Sequence, residues 1–227
     1  MKKLFGMVGI FLLIYLNHSC EKDNSIKDGD GNAYTTVSIG TQIWLVENLR
    51  TTRYNNGTSI PLVTDNAEWN NLTAPAYCWY NNDAATYKET YGALYNWYAV
   101  NTGKLCPKGW HAPEDDEWKT LTDYLPEYVG SNKIAKSMAA AWGWNADPNA
   151  GNPGNDQSSN NSSGFTALPG GCHGSAFLAV GEMGYWWHAT ETYEIRANAH
   201  YLYYNYSYVE TGAALKYAGY SVRCIKN

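Results

Sequence analysis

The chain has 227 residues, 44 % of them apolar, which is enough to bury a full core in one domain. Its formal net charge is −5, and it becomes −7 without residues 1–19, which carry Lys2 and Lys3 and no acid. Such a balance offers neither phosphate neutralisation nor a polybasic surface, so nucleic acid and anionic lipid are excluded as leading partners.

Residues 1–19 begin with two lysines and run into thirteen mostly apolar residues from Leu4 to Leu16, too short to span a bilayer. This reads as a signal peptide. Ser19 before Cys20 resembles the cleavage site of bacterial lipoproteins, in which that cysteine is lipidated. The leucine usual three positions earlier is replaced by Asn17, with Leu16 one place too early, so ordinary secretion with nearby cleavage is the alternative. Glu21 and Asp23 follow directly, and acids there resemble the signal that places some lipoproteins on the outer face. The expected organisation is a signal peptide over 1–19, a lipidated tether over 20–29 and one domain over 30–227. The expected location is the outer membrane, exposed at the cell surface, with the lipid anchor as the sole membrane contact.

The stretch DGDGNAYTTVSIGTQIWLVENL alternates on both sides of Gly40 and predicts a hairpin. Asp28, Asp30 and Gly31 occur in calcium loops, but no bidentate glutamate follows, and a plain turn is expected. Asp65, three residues before Glu68, reads as a capping box opening a short helix. In LCPKGWHAPEDDEWKTL and beyond, Trp118, Leu121 and Leu125 share one helical face, and Pro126 is expected to end that helix. The acids Glu114 to Glu117 then fall in its first turn, where the helix dipole favours negative charge. SNKIAKSMAAAW predicts a second helix. GWNADPNAGNPGNDQSSNNSSGF has no period and no evident core residue, and reads as a long loop. From Gly164 onward FTALPGG, YWWHATE, YLYYNYSYV and GYSVRCIKN read as antiparallel strands.

No serine-hydrolase elbow, zincin, phosphate-loop, paired-cysteine or dinucleotide motif is present. His111, His173, His188 and His200 are scattered without metal-ligand spacing. Cys172 beside His173 would point to the opposite face of a strand. His111 with Glu114 and Glu117 competes with the helix start for one geometry, and the structural reading prevails. No catalytic residue, metal set or cofactor is therefore assigned. Cys78, Cys106, Cys172 and Cys224 lie in an oxidising compartment and allow three connectivities if all pair.

The ordered segments DGNAYTTVSIGTQIWLVENL, RYNNGTSIP, AYCWYNND, YGALYNWYAV, LCPKGWHAPEDDEW, FTALPGG, YWWHATE and YSVRCIKN closely resemble the Fibrobacter succinogenes major paralogous domain, an exported bacterial family, from about Asp30 to Asn227. The resemblance implies an α+β, C-type lectin-like fold: two helices packed on a twisted antiparallel sheet, with long loops. It implies that Pro113 halts a strand, that Trp110 and Trp118 enter the core, and that Glu117 reaches back to cap the principal helix. Glu114 stands where the family commonly has Thr or Ser, which moves the expected start to Asp115. It also implies a Cys106–Cys224 disulfide, while Cys78 and Cys172 either form a second bridge or stay free. The calcium signatures of sugar-binding relatives of the wider fold are absent, and the loop from Asp147 to Asp156 is only a minor candidate for a structural ion.

In a fold of this kind ligands meet the long loops and late strands, and residues 185–220 hold nine of the 20 tyrosines. Strand alternation would put Leu202, Tyr204, Tyr206 and Tyr208 on one face, and Tyr201, Tyr203, Asn205, Ser207 and Val209 on the other. The expected ligand-binding residues are His188, Thr190, Tyr193, Tyr201, Tyr203, Tyr204, Tyr206, Tyr208 and Tyr217. The expected function is a surface-displayed, non-catalytic module that binds a glycan or protein on another surface. A carboxyl end diversified by a retroelement fits the residue mix. The alternatives are an enzyme of formylglycine-generating type and a structural component of pilus or envelope assembly.

Overall fold

The computed structural model describes residues 25–129 and 133–227; the expected signal peptide and lipidation at Cys20 lie outside them. Strands β1 (Ile26–Lys27) and β2 (Ala33–Tyr34) pair around a turn organised by Asp28. One Asp28 oxygen accepts from the backbone N–H of Asp30 and Asn32, and the other from the Tyr34 hydroxyl and the Asn32 amide. The carboxylate is thus spent on local donors, as a plain turn requires. The hairpin of β3 (Thr36–Ile39) and β4 (Gln42–Leu45) pairs Ile39 with Gln42, leaving a two-residue turn. Gly40 takes φ 59° there, a conformation that glycine adopts without a steric penalty.

Helix α1 (Asn66–Trp69) is capped by Asp65, whose side chain accepts from the Glu68 N–H. Then follow β5 (Tyr77–Cys78), α2 (Ala84–Tyr91), β6 (Leu94–Tyr95), α3 (Trp97–Val100) and β7 (Trp110–His111). The long helix α4 (Asp115–Val129) starts at Asp115 as expected, and buries Trp118, Leu121 and Leu125. It does not stop at Pro126. A proline removes one backbone bond and crowds the carbonyl four residues back, and here that disturbance falls in the last turn, with little helix beyond it to disrupt.

Helix α5 (Ile134–Met138) is shorter than the alanine run that predicted it. Ala139 turns extended and bridges Ala167, and Ala140 N–H donates to Ala167 O, so the small alanines let two backbones meet instead of prolonging a helix. Residues 143–165 form the expected loop, but Trp144 and Phe165 are core residues, contrary to the sequence reading. Amides replace regular structure inside it. Asn160 donates to Ala140 O and Pro153 O, and Gln157 donates to Trp144 O.

The last strands are β8 (Gly170–His173), β9 (Phe177–Val180), β10 (Met183–Tyr193), β11 (Arg196–Tyr203), β12 (Glu210–Leu215) and β13 (Ile225–Lys226). All named pairings are antiparallel, in one four-stranded sheet ordered β3-β4-β13-β7, one three-stranded sheet ordered β10-β11-β12, and two-stranded ribbons. The class is α+β, but the described residues hold five α-helices where the resemblance implied two and the residue patterns three. Cys106 and Cys224 form the expected disulfide; Cys78 and Cys172 are free.

The β10–β11 hairpin is covered on both faces. Trp187, Ala197, Ala199 and Tyr201 pack with Leu45, Tyr95 and Trp97, whereas Trp186 and Leu202 pack with Trp44, Trp118 and Phe165. The two buried indoles are satisfied, Trp186 by Asn48 Oδ1 and Trp187 by Tyr95 O.

Candidate functional site

The strand β11 ends at Tyr203, so residues 204–209 do not alternate between two faces as expected. Their backbone is claimed by other elements. Tyr204 N–H donates to Glu182 O at 2.8 Å, Gly154 N–H donates to Tyr204 O at 2.7 Å, and Ala135 N–H donates to Ser207 O at 3.2 Å. The loop is therefore pinned by α5, by the asparagine-rich loop and by the β9–β10 turn. Held this way, Tyr206 and Tyr208 stay 43 % and 48 % exposed. Their rings lie 5.4 Å apart, and Tyr203 meets Tyr206 at 6.3 Å and 82°. Tyr203, Asn205, Tyr206 and Glu210 enclose an open cleft of about 230 Å³. Burial, and then the charge of Glu210, push the Tyr203 phenol up from its ordinary range, so it stays a neutral donor.

A second constellation joins α4 to the late strands. His188 Nδ1 meets Asp115 Oδ1 at 2.5 Å, and His188 Nε2 is hydrogen-bonded to His200 Nδ1. Thr211 Oγ1 lies 3.4 Å from His200 Nε2, and Asn198 donates to the other Asp115 oxygen at 2.7 Å. One pattern satisfies every atom. Ionised Asp115 requires a proton on His188 Nδ1, which leaves Nε2 to accept from His200 Nδ1–H, and His200 Nε2 then accepts from Thr211. Both imidazoles stack on Trp118, at 5.5 and 4.5 Å. Burial pulls the affinity of His188 for a proton down against the pull of Asp115, and pulls that of His200 well down, with His188 adding to it. A cleft of about 230 Å³ lined by Asp115, Lys119, Thr122 and Thr211 opens onto the pair.

A third group brings Cys78 Sγ within 3.4 Å of His173 Nδ1, while His173 Nε2 meets Asn66 Oδ1 at 2.9 Å. The order thiol, imidazole, amide is that of a cysteine nucleophile with its base and orienting group. Its surroundings oppose that use. Cys78 and His173 are fully buried, burial pushes the thiol far up and the imidazole down to about 4, and Phe177 stacks on the ring at 3.9 Å. At neutral pH both groups are uncharged, whereas the nucleophile is the thiolate. His111 Nε2 contacts both oxygens of Glu117, which also accept the Glu114 N–H, so this pair serves the helix start as expected. Among the described residues no group of three or more His, Cys, Asp or Glu is arranged to hold a metal ion.

The nine residues expected at the ligand site fall into separate places. Tyr203, Tyr206 and Tyr208 gather at the loop, and Tyr204 is half-buried beneath it against the core. Tyr193 is exposed at the β10–β11 turn. Tyr201 packs edge-on to Tyr185 and Tyr220, and Tyr217 packs against the Trp69 and Cys78 cluster. His188 is only 1 % exposed, and Thr190 Oγ1 accepts the Asp115 N–H, so both sit at the α4 start. Asn205 and Glu210 at the loop were missed, as were Asp115, His200 and Thr211. Across the two-residue turn after Tyr193, residues at an even separation would face opposite sides; the register shifts between Trp187 and Tyr193 bring His188 and His200 to one face, so spacing carried no signal for the pair. The model of the Fibrobacter succinogenes major domain matches residues 37–226. No curated protein and no solved structure matches the chain.

Proposed function

The chain belongs to the Fibrobacter succinogenes major domain family, and from that premise we propose that it is a non-catalytic recognition module that binds a glycan or protein ligand through the loop 204–209. On this reading the fold is a variant of the C-type lectin architecture. A lipid on Cys20 holds the domain at the outer face of the outer membrane, and the loop meets a ligand on another surface. The observation that carries the reading is the pinned loop. A loop held by three backbone bonds at Tyr204 and Ser207, with Tyr206 and Tyr208 exposed beside them, is ordered before any ligand arrives, which removes part of the entropic cost of binding. Tyrosine with asparagine and serine also gives contact area together with adaptable hydrogen bonds.

The test is binding of the purified chain to a glycan array and to host surface proteins, repeated with Tyr206→Ala and Tyr208→Ala. Each substitution is expected to weaken a captured ligand at least tenfold. Unchanged binding by both variants removes the loop from the site. A retroelement origin for the varied carboxyl end remains part of this proposal, and a genome without a reverse transcriptase gene beside a near-copy of the segment ends it.

The enzyme reading has one observation in its favour, the Cys78, His173 and Asn66 alignment. A thiol enclosed at neutral pH is a structural group, so recognition is preferred. An envelope-assembly role predicts no ligand in the array and a stable complex with envelope proteins instead.

A further inference from the structure

We infer that the cleft between Tyr203, Asn205, Tyr206 and Glu210 takes a compact ammonium group, so that the ligand of the proposed recognition loop presents a primary or quaternary amine. The inference rests on the recognition reading and adds the chemistry of what is recognised. Four observations combine. The Tyr203 and Tyr206 rings pack edge to face at 82° with centroids 6.3 Å apart, and both line the cleft. Ring faces are electron-rich, and a cation placed within about 6 Å of a centroid is attracted to them. Glu210 supplies a carboxylate to the cleft, and Asn205, the remaining lining residue, is neutral. Among the described residues no lysine or arginine lines the cleft to neutralise that carboxylate.

Other ligand classes fit less well. A phosphate or carboxylate would meet Glu210 as a like charge. A guanidinium stacks best flat on one ring, and perpendicular rings leave its plane facing an edge. A neutral sugar would leave the Glu210 charge without a counterpart in the cleft. A roughly spherical ammonium needs no single flat platform and meets an aromatic ring and the carboxylate together. The volume of about 230 Å³ admits a trimethylated head or the aminated carbon of a hexosamine. The acidic excess of the chain attracts the same charge at longer range.

The experiment is a titration of the purified chain, followed by tyrosine ring resonances and calorimetry. The probes are choline, its neutral isostere 3,3-dimethylbutanol, a glucosamine oligosaccharide, the matching N-acetylglucosamine oligosaccharide and lysine methylamide. At least one amine is expected to bind tenfold or more tightly than its uncharged counterpart. Choline against the two primary amines tells a quaternary headgroup from an amino sugar or a lysine side chain. Glu210→Gln is expected to abolish that preference, and Glu89→Gln, whose exposed side chain pairs with Arg50 outside the cleft, to preserve it. Circular dichroism checks that each variant is folded. Equal binding of charged and neutral probes, lost on Tyr206→Ala, overturns the ammonium inference and leaves the recognition reading standing. Capture of array ligands that is indifferent to Tyr206→Ala and Tyr208→Ala overturns both.

Discussion

His173, His188 and His200 share one physical situation: each is enclosed, and enclosure disfavours its charged form. Their folded-state proton affinities lie below the ordinary histidine value, to about 4 for His173. The sign of the consequence follows. A group whose folded pKa is depressed contributes stability in full above its unfolded pKa, about 6.5, and loses it as pH falls through the window down to the folded value. Each such histidine contributes a slope of at most about 1.4 kcal/mol per pH unit in that window. Urea unfolding is therefore expected to show a lower midpoint at pH 5 than at pH 7, and His173→Asn to flatten that dependence. A midpoint independent of pH in the wild-type chain contradicts the burial argument. The same enclosure makes a prediction for Cys78, whose thiol is pushed up by burial alone. Iodoacetamide at pH 8 is expected to leave Cys78 unmodified in the folded chain and to alkylate it in urea. Rapid folded-state alkylation, read by peptide mass, would instead revive the enzyme reading. Neither constellation was legible from neighbouring letters, because Asn66, Cys78 and His173, like Asp115, His188 and His200, come from three separate stretches that only tertiary packing unites.

At the scale of elements, local chemistry was the readable part. The β3–β4 turn at Gly40, the Asp65 cap and the buried face of α4 each follow from residues a few positions apart, and each stands where expected. The misreadings arise where backbone groups chose distant partners. Ala139 left the helix for Ala167, and Tyr204 and Ser207 left the strand for Gly154, Glu182 and Ala135. Periodicity could not warn of either, since backbone bonds to distant segments leave no trace in side-chain spacing. The start of α4 gives a quantitative test. Glu117 accepts the Glu114 N–H at 2.9 Å and closes on His111, completing half of a capping box without a hydroxyl at the cap. Glu117→Ala is expected to cost about 1 kcal/mol, in the range measured for lost caps, and Glu117→Gln to recover part of it through the same backbone bond. Chemical denaturation at pH 7 decides this, and an alanine variant as stable as wild type removes the capping role.

For the molecule as a whole, the organising device is the return of the carboxyl end. β13 lies between β4 and β7, pairing Ile225 with both Trp44 and His111, and Cys224 just before it accepts the Leu45 N–H through its carbonyl. The domain is thus sewn shut by a two-residue strand, too short to hold the sheet by its own ladder. The Cys106–Cys224 bridge secures it across a sequence separation of 118. Pairing this distant was expected only from the family resemblance, since spacing alone left three connectivities open. Closing a loop of that length in the unfolded chain is worth about 4 to 5 kcal/mol in the chain-entropy model, an upper value where the denatured state keeps structure. For a domain of this size, each kcal/mol moves the melting temperature by about 2–4 °C. Cys106→Ala with Cys224→Ala is therefore expected to melt about 8–20 °C lower than the oxidised chain, the two factors multiplied. The single replacements should do the same, because either one opens the loop, and adding a reductant to the double variant should change nothing further. A double variant melting within 3 °C of the oxidised chain would mean that β4 and β7 hold β13 without the bridge, so that the sheet, and not the covalent link, closes the domain.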